Sequence, residues 1–250
     1  MGELTILDTL NGRSRPDIQP VLVEEKPEDI AHQILVKSNI SAPPIDIFKI
    51  SNDLHLKLYE ENLHEDGYLL KSNENEGIIF FKGPSFQRGL RWKFTVAHEI
   101  GHWVLELLTN SGNKSRGTTL EHVETWCNRF ASELLVPAKF LRNVVGETPL
   151  TYQEFDRIRS LFDISEDVLI NKLYTALKIE VVSVKKKGDE FVITKRKGEN
   201  NRVDLTHFKS IINSGLNGEY SGKMSETHAL IGPEIVITRT GKLNRYFLVS

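Results

Sequence analysis

Apolar positions at Ile30, Ala31, Ile34 and Leu35 recur at helical spacing, and Pro27 followed by Glu28 and Asp29 supplies a helix start with acids in its first turn. Pro43-Pro44 breaks the chain before a second, short helix predicted from about Asp46 to near Asn52. Leu54–Tyr59 and Gly77–Phe81 then read as strands, with Gly67–Leu70 a shorter candidate between turns and Gly83-Pro84 closing the stretch. Phe94, Val96, Ala97, Ile100, Val104 and Leu105 give a buried side to a helix predicted from about Lys93 to Leu108. Phe130, Ala131, Leu134 and Leu135 do the same for one from about Leu120 to Val136, which Pro137 stops.

From Pro149 the pattern becomes two short helices. Phe155, Ile158, Leu161 and Phe162 mark the first, Asp163-Ile164-Ser165 a turn, and Val168, Leu169 and Leu173 the second. Thr151 and Ser165 are candidate N-caps, and Glu154 follows Thr151 at capping-box distance. The outline is that of a helix-turn-helix. Residues 181–250 read mainly as strands, at Val181–Val184, Phe191–Thr194, Ile235–Thr238 and Tyr246–Val249, with a polar stretch over Asn213–Glu226. Residues 1–26 carry no sustained period, and no internal repeat is present. The expected class is α+β, organised as a lead-in at 1–26, a core with a small sheet and an active-site helix at 27–149, a helix-turn-helix-like segment at 150–180 and a β-rich module at 181–250.

Composition narrows this picture little: 39% hydrophobic and 26% charged residues are ordinary for a soluble globular chain of 250 residues. No run of 18 apolar residues occurs and no basic segment leads into an apolar one at the N-terminus, so neither a membrane span nor a signal peptide is expected and the location is taken as cytoplasmic. Cys127 is the only cysteine, which excludes a disulfide framework and a thiolate metal cage. Charge is uneven: residues 1–180 hold 20 Lys/Arg against 27 Asp/Glu, and residues 181–250 hold 12 against 7, so the two parts present different surfaces. Lys185-Lys186-Lys187 and Lys195-Arg196-Lys197 flank an apolar strand, as the ends of a solvated hairpin do. In the second helix of the 150–180 pair only Asn171 and Lys172 suit bases or phosphates, so the pair reads as a packing or substrate-docking element, with direct DNA binding left open.

The chemistry concentrates at His98-Glu99-Ile100-Gly101-His102. On a helix, residues four apart share a face, so both imidazoles reach one ion while Glu99 stands beside them as a base for water held there. A catalytic zinc takes three protein ligands and keeps one position open. Glu124 lies on the next predicted helix, where a carboxylate completes such a site, but Glu121, His122 and Glu133 compete with it on spacing alone. Cys127 reads as packing rather than as a fourth ligand, and Asn128 as a local helix bridge or a support to the site. His122 and Tyr152 are oxyanion-donor candidates by residue type only; His207 and His228 stand apart from the motifs. Arg91 and Lys93 sit where the helix dipole disfavours cations, and acids elsewhere are expected to pair with them.

Arg91-Trp92-Lys93-Phe94-Thr95-Val96-Ala97-His98-Glu99-Ile100-Gly101-His102, followed by Glu124-Thr125-Trp126-Cys127-Asn128-Arg129-Phe130-Ala131-Ser132-Glu133-Leu134-Leu135-Val136-Pro137, closely resembles the ImmA/IrrE family of metallopeptidases. That family reads R-x-R/K-F-T-x-A-H-E-x-G-H, then E-x-x-A-N-x-F-A-x-x-L-L-x-P. The resemblance covers roughly residues 27–180 and implies a zincin-like core. It implies His98 and His102 as histidine ligands, Glu124 as the third ligand, Glu99 as the catalytic glutamate, and one divalent ion: zinc, with manganese or iron as physiological alternatives. It further implies a cytosolic endopeptidase that cuts a helix-turn-helix repressor and so relieves repression in mobile-element control or stress response. Radiation-response members carry a C-terminal sensor-like domain after their helix-turn-helix region, an order similar to this one. Cys127 stands where alanine is usual and Trp126 where an acid is common, neither at a ligand position. The competing expectation is a catalytically silent, metal-stabilised DNA-binding or regulatory protein; oligomeric state is left open.

Overall fold

The computed structural model describes residues 26–73, 75–86, 89–110, 120–146, 152–179, 181–187, 190–197, 236–240 and 245–249. Seven helices and seven strands are formed there, in a mixed α+β arrangement. The lead-in, the 213–226 stretch, Thr151, His207 and His228 lie outside these residues. The described residues fall into two compact units, one running up to Phe140 and including Phe162–Ser165, the other comprising Leu141–Leu161 and the chain from Glu166 onward.

In the first unit, α1 (Pro27–Lys37) starts with its proline in the first turn and buries Ile30, Ala31, Ile34 and Leu35, as its spacing requires. Helix α2 (Ile47–Asp53) is capped by Asp46, whose carboxylate accepts the Lys49 amide at 2.9 Å. Strands β1 (Leu56–Glu60), β2 (Gly67–Lys71) and β3 (Gly77–Phe81) form a sheet in the order β1-β3-β2. β1 runs parallel to β3 and β2 antiparallel to it, so β2 forms an edge. On one face Ile79 and Phe81 are buried; on the other, Phe80 stacks between Tyr59 and Tyr68 at 5.6 and 5.1 Å.

Helices α3 (Arg91–Asn110) and α4 (Leu120–Leu135) carry the two motif blocks. Val96, Ala97, Ile100, Trp103 and Val104 put one side of α3 wholly in the core, and the Trp103 indole N–H donates to the Leu54 carbonyl at 3.2 Å. Cys127, Phe130, Ala131 and Leu134 do the same for α4. The cations at the start of α3 find the acids expected of them: Arg91 pairs with Asp66, and Lys93, only 12% exposed, pairs with Asp163. α1 is tied to α4 by both Glu28 oxygens accepting from Arg129, each at 2.9 Å.

Pro137 ends α4, but the chain does not become a loop there: α5 (Ala138–Val145) follows, an element not anticipated from the pattern. Its first amide, that of Ala138, donates to Glu133 Oε1 at 2.9 Å. This bond supplies an acceptor to a helix start that has no capping serine or aspartate before it. Helices α6 (Tyr152–Phe162), which belongs to the second unit up to Leu161, and α7 (Glu166–Leu177), wholly within it, bury Phe155, Ile158, Leu169, Ile170 and Leu173. Asp163, between them, has φ of 52°, a left-handed turn that aspartate tolerates. The turn separating the helices is three residues long. Strands β4 (Val181–Lys187), β5 (Glu190–Lys197), β6 (Val236–Thr240) and β7 (Arg245–Val249) form an antiparallel sheet in the order β5-β4-β7-β6. β4 and β5 pair as the hairpin that the two basic clusters mark, with Lys187 opposite Glu190 at one end and Val181 opposite Lys197 at the other.

Candidate metal centre

A helix exposes one stripe of side chains for every stripe it buries. The stripe of α3 left over by its core residues carries His98, Glu99 and His102, all half-buried. Whether that stripe meets anything depends on how closely α4 approaches, and Gly101 sets this distance. A β-carbon at Gly101 would stand 3.2 Å from Phe130 Cδ1 and 3.3 Å from both Cα and Cβ of Cys127. The helices therefore cross with the α4 backbone almost against α3, and Glu124, one turn before the contact, reaches both histidines. His98 Nε2 lies 3.2 Å from Glu124 Oε2, His102 Nε2 lies 3.3 Å from Oε1, and the two Nε2 atoms are 3.0 Å apart.

These separations test the fit of an ion. Four tetrahedral ligands at the ~2.0–2.1 Å usual for zinc stand roughly 3.4 Å from one another. Three donor atoms, one from each of His98, His102 and Glu124, lie within 4.8 Å of one another, the shortest separations sitting close to that spacing. Two imidazole nitrogens and a carboxylate also suit a divalent ion by donor type. The three residues thus form a group that can hold one metal ion, and it is the one such group among the described residues.

Glu99 stands next to this group without joining it. Its carboxyl is pushed up to about 7, first by burial and then by the negative charge of Glu124, with the Leu69 backbone N–H acting in the opposite sense. That N–H comes from the edge strand β2, which lies alongside the Glu99 face of α3. Gly67 fits there too: a β-carbon on it would lie 2.6 Å from Thr95 Cγ2. Farther along, Lys71 Nζ donates to Glu106 Oε1 at 2.7 Å. Burial also lowers the His102 pKa, as does His98, while Glu124 raises it; the net result favours the neutral, ligating imidazole.

The competitors for the third position go elsewhere. Glu133 is buried and accepts the Ala138 amide, while Glu121 and His122 are exposed at the start of α4 and stand outside the group. Cys127 is fully buried, its thiol pushed up to about 12 by burial and by the charges of Glu124 and Glu99, which suits packing and not ligation. Trp126 stacks on Phe130 at 5.4 Å, with ring planes 9° apart. Asn128 Oδ1 lies 3.1 Å from His98 Nδ1, within hydrogen-bond distance. Tyr152 opens α6, its side chain outside the described residues. Sequence reasoning missed the Leu69 amide and the packing duty of Gly101. A glycine inside an otherwise apolar helical stretch was the available signal for the second.

Residues 83–174 match the family model of peptidase M78, the IrrE N-terminal-like domain. Over that stretch the chain is similar to a peptidase-family domain, which bears out the resemblance to the ImmA/IrrE family. No curated protein matches the chain. Among solved structures, a Mycobacterium tuberculosis transcriptional regulator aligns over 89% of this chain and 68% of its own, at 12% identity and a TM-score of 0.47. No helix among the described residues is long and apolar enough to cross a membrane.

Proposed function

We propose that the chain is a zinc-type metallo-endopeptidase with a zincin-like core, its metal held by His98, His102 and Glu124 and its base Glu99. The observation that carries this reading is the convergence of two imidazoles and one carboxylate from two helices, with a second carboxylate next to them that no ligand role requires. When bound, the dication lowers the pKa of a water and polarises the scissile carbonyl. Glu99 takes the proton of the attacking water and delivers it to the departing amide nitrogen, a single group acting as base and then as acid.

The resemblance to the ImmA/IrrE family supports a helix-turn-helix transcriptional repressor as the substrate, in the cytoplasm, with its cleavage relieving repression. In that reading residues 27–149 form the catalytic core, 150–180 a helix-turn-helix-like connection and 181–250 a β-rich regulatory or interaction module. The order of elements supports the division, since no described strand of the second sheet supplies a member of the metal group.

The test is a purified, metal-loaded chain incubated with a co-encoded repressor, beside Glu99→Gln and Glu124→Ala variants. Glu99→Gln is expected to keep one metal per chain and lose about 10²–10⁴-fold in cleavage rate. Glu124→Ala is expected to fall well below one metal per chain. Cleavage by Glu99→Gln at the parental rate would remove Glu99 from the chemistry. Stoichiometric metal with no cleavage by any sample would instead favour a silent, metal-stabilised regulatory protein.

A further inference from the structure

We propose that Asn128 is a positioning residue for the metal centre, fixing which nitrogen of His98 is free to ligate; the inference rests on the metallopeptidase reading. A neutral imidazole has one nitrogen with a hydrogen and one with a lone pair, and only the second can bind a metal. His98 turns Nε2 toward Glu124 and His102, so for Nε2 to ligate an ion shared with them the hydrogen must sit on Nδ1. Asn128 Oδ1 stands 3.1 Å from Nδ1, and in this orientation of the amide its carbonyl oxygen is an acceptor for that hydrogen. The same bond fixes the ring about its Cβ–Cγ axis, aiming Nε2 at the shared point.

The placement follows from α4. Asn128 is four residues after Glu124, hence on the same helix face one turn on. One helix therefore delivers both the third ligand and the acceptor that orients the first, and any slip of α4 against α3 loses both together. The close crossing at Gly101 holds that register. His102 is served differently: among the described residues its recorded polar partners are His98 and Glu124, both on its Nε2 side. His98 is thus the histidine whose orientation is specified from outside the metal group. Asn128 is itself exposed, so removing its amide leaves no hole in the core and the effect on the metal can be read without a packing defect.

The experiment measures zinc affinity by competition with a chromophoric chelator, and the visible spectrum of the cobalt-loaded protein, for the parent, Asn128→Ala and Asn128→Asp. Melting of each metal-free protein serves as the control for fold. Asn128→Ala is expected to melt like the parent, bind zinc about 10–100-fold more weakly and show an altered cobalt spectrum. Asn128→Asp, which keeps an acceptor in the same place, is expected to recover most of the affinity. Parental affinity and spectrum in Asn128→Ala would overturn the proposal, as would an Asn128→Asp protein no better than the alanine variant. Nitrogen NMR of the zinc-loaded parent gives a reading that needs no variant: the His98 hydrogen must reside on Nδ1, and finding it on Nε2 sinks the idea. If the parent binds no zinc at all, the metallopeptidase reading fails first, and this inference with it.

Discussion

The helix pairs α3–α4 and α6–α7 are built by the same local rules and use their polar residues in opposite ways. Each helix of both pairs has an apolar stripe of ordinary spacing. In α3–α4 the polar residues His98, Glu99, His102 and Glu124 converge, half-buried, on one spot. In α7 the two residues that could have met a nucleic acid are turned inward: Lys172 is 4% exposed, and Asn171 Oδ1 is buried with no hydrogen-bond partner among the described residues. In α6 the charged residues are spent on neighbours one turn away, Arg157 on Glu154 and Arg159 on Asp156. Exposed pairs of this kind contribute only about 0–1 kcal/mol. What separates a site from a scaffold here is that a glycine at the helix crossing lets ionisable groups from two helices share one desolvated point. Amphipathicity alone does not.

The largest expected effect comes from refilling that crossing. Gly101→Val places methyl groups where a β-carbon already meets Phe130 and the Cys127 backbone, so α4 must move away. Overpacking of this sort costs about 1–3 kcal/mol. Melting should register that loss, and zinc affinity should fall with it because Glu124 rides on α4. Parental zinc affinity in a folded Gly101→Val protein would break the link drawn between helix approach and ligand convergence.

A smaller effect separates the half-buried polar stripe from an ordinary helix face by its pH dependence. The Glu99 carboxyl of the folded, metal-free chain is raised from 4.5 to about 7, chiefly by burial. Between those values the folded state binds the proton more tightly than the unfolded one, so this group's contribution to stability declines as pH rises through that window. The lowered His102 pKa acts below the ordinary histidine value of 6.5, where it costs stability as pH falls, so the two must be separated by subtraction. Metal-free Glu99→Gln is therefore expected to melt above the parent at pH 8, with the difference shrinking toward zero below about pH 4.5. Equal melting temperatures across the whole range would show that Glu99 is not desolvated as described. Saturating zinc should reduce the difference, since a nearby dication favours the charged carboxylate.

The smallest expected effect tests the other side of the comparison. Lys172→Met should leave any retention on DNA, and its salt dependence, as they are in the parent. A lysine contacting phosphate would instead reduce the salt slope by about 1. A clear drop in slope would mean that α7 presents Lys172 to nucleic acid after all.

Much of this was legible in the chain. Period and punctuation placed α1, α2, the three strands of the first sheet, α3, α4 and the α6–α7 pair within a few residues, because each has a stripe or alternation bounded by proline, glycine or a cap. The spacing of His98 and His102 needed no fold beyond a helix, since four residues bring two side chains to one face wherever that helix sits. Other features belong to the tertiary structure. The order β1-β3-β2, which makes β2 an edge and turns the Leu69 N–H toward Glu99, depends on which strands pair, and no strand announces its partner. α5 was missed because its start is capped from behind by Glu133, across Pro137, where no local capping residue marks it. Spacing alone could not separate Glu124 from Glu121, His122 and Glu133, for all four are acids or ligands on or beside the same helix. The decision came from how α4 is rotated and how near Gly101 lets it come. The sequence determined which faces the helices present, a local matter of 3.6 residues per turn; only packing between distant segments decided which of those faces meet.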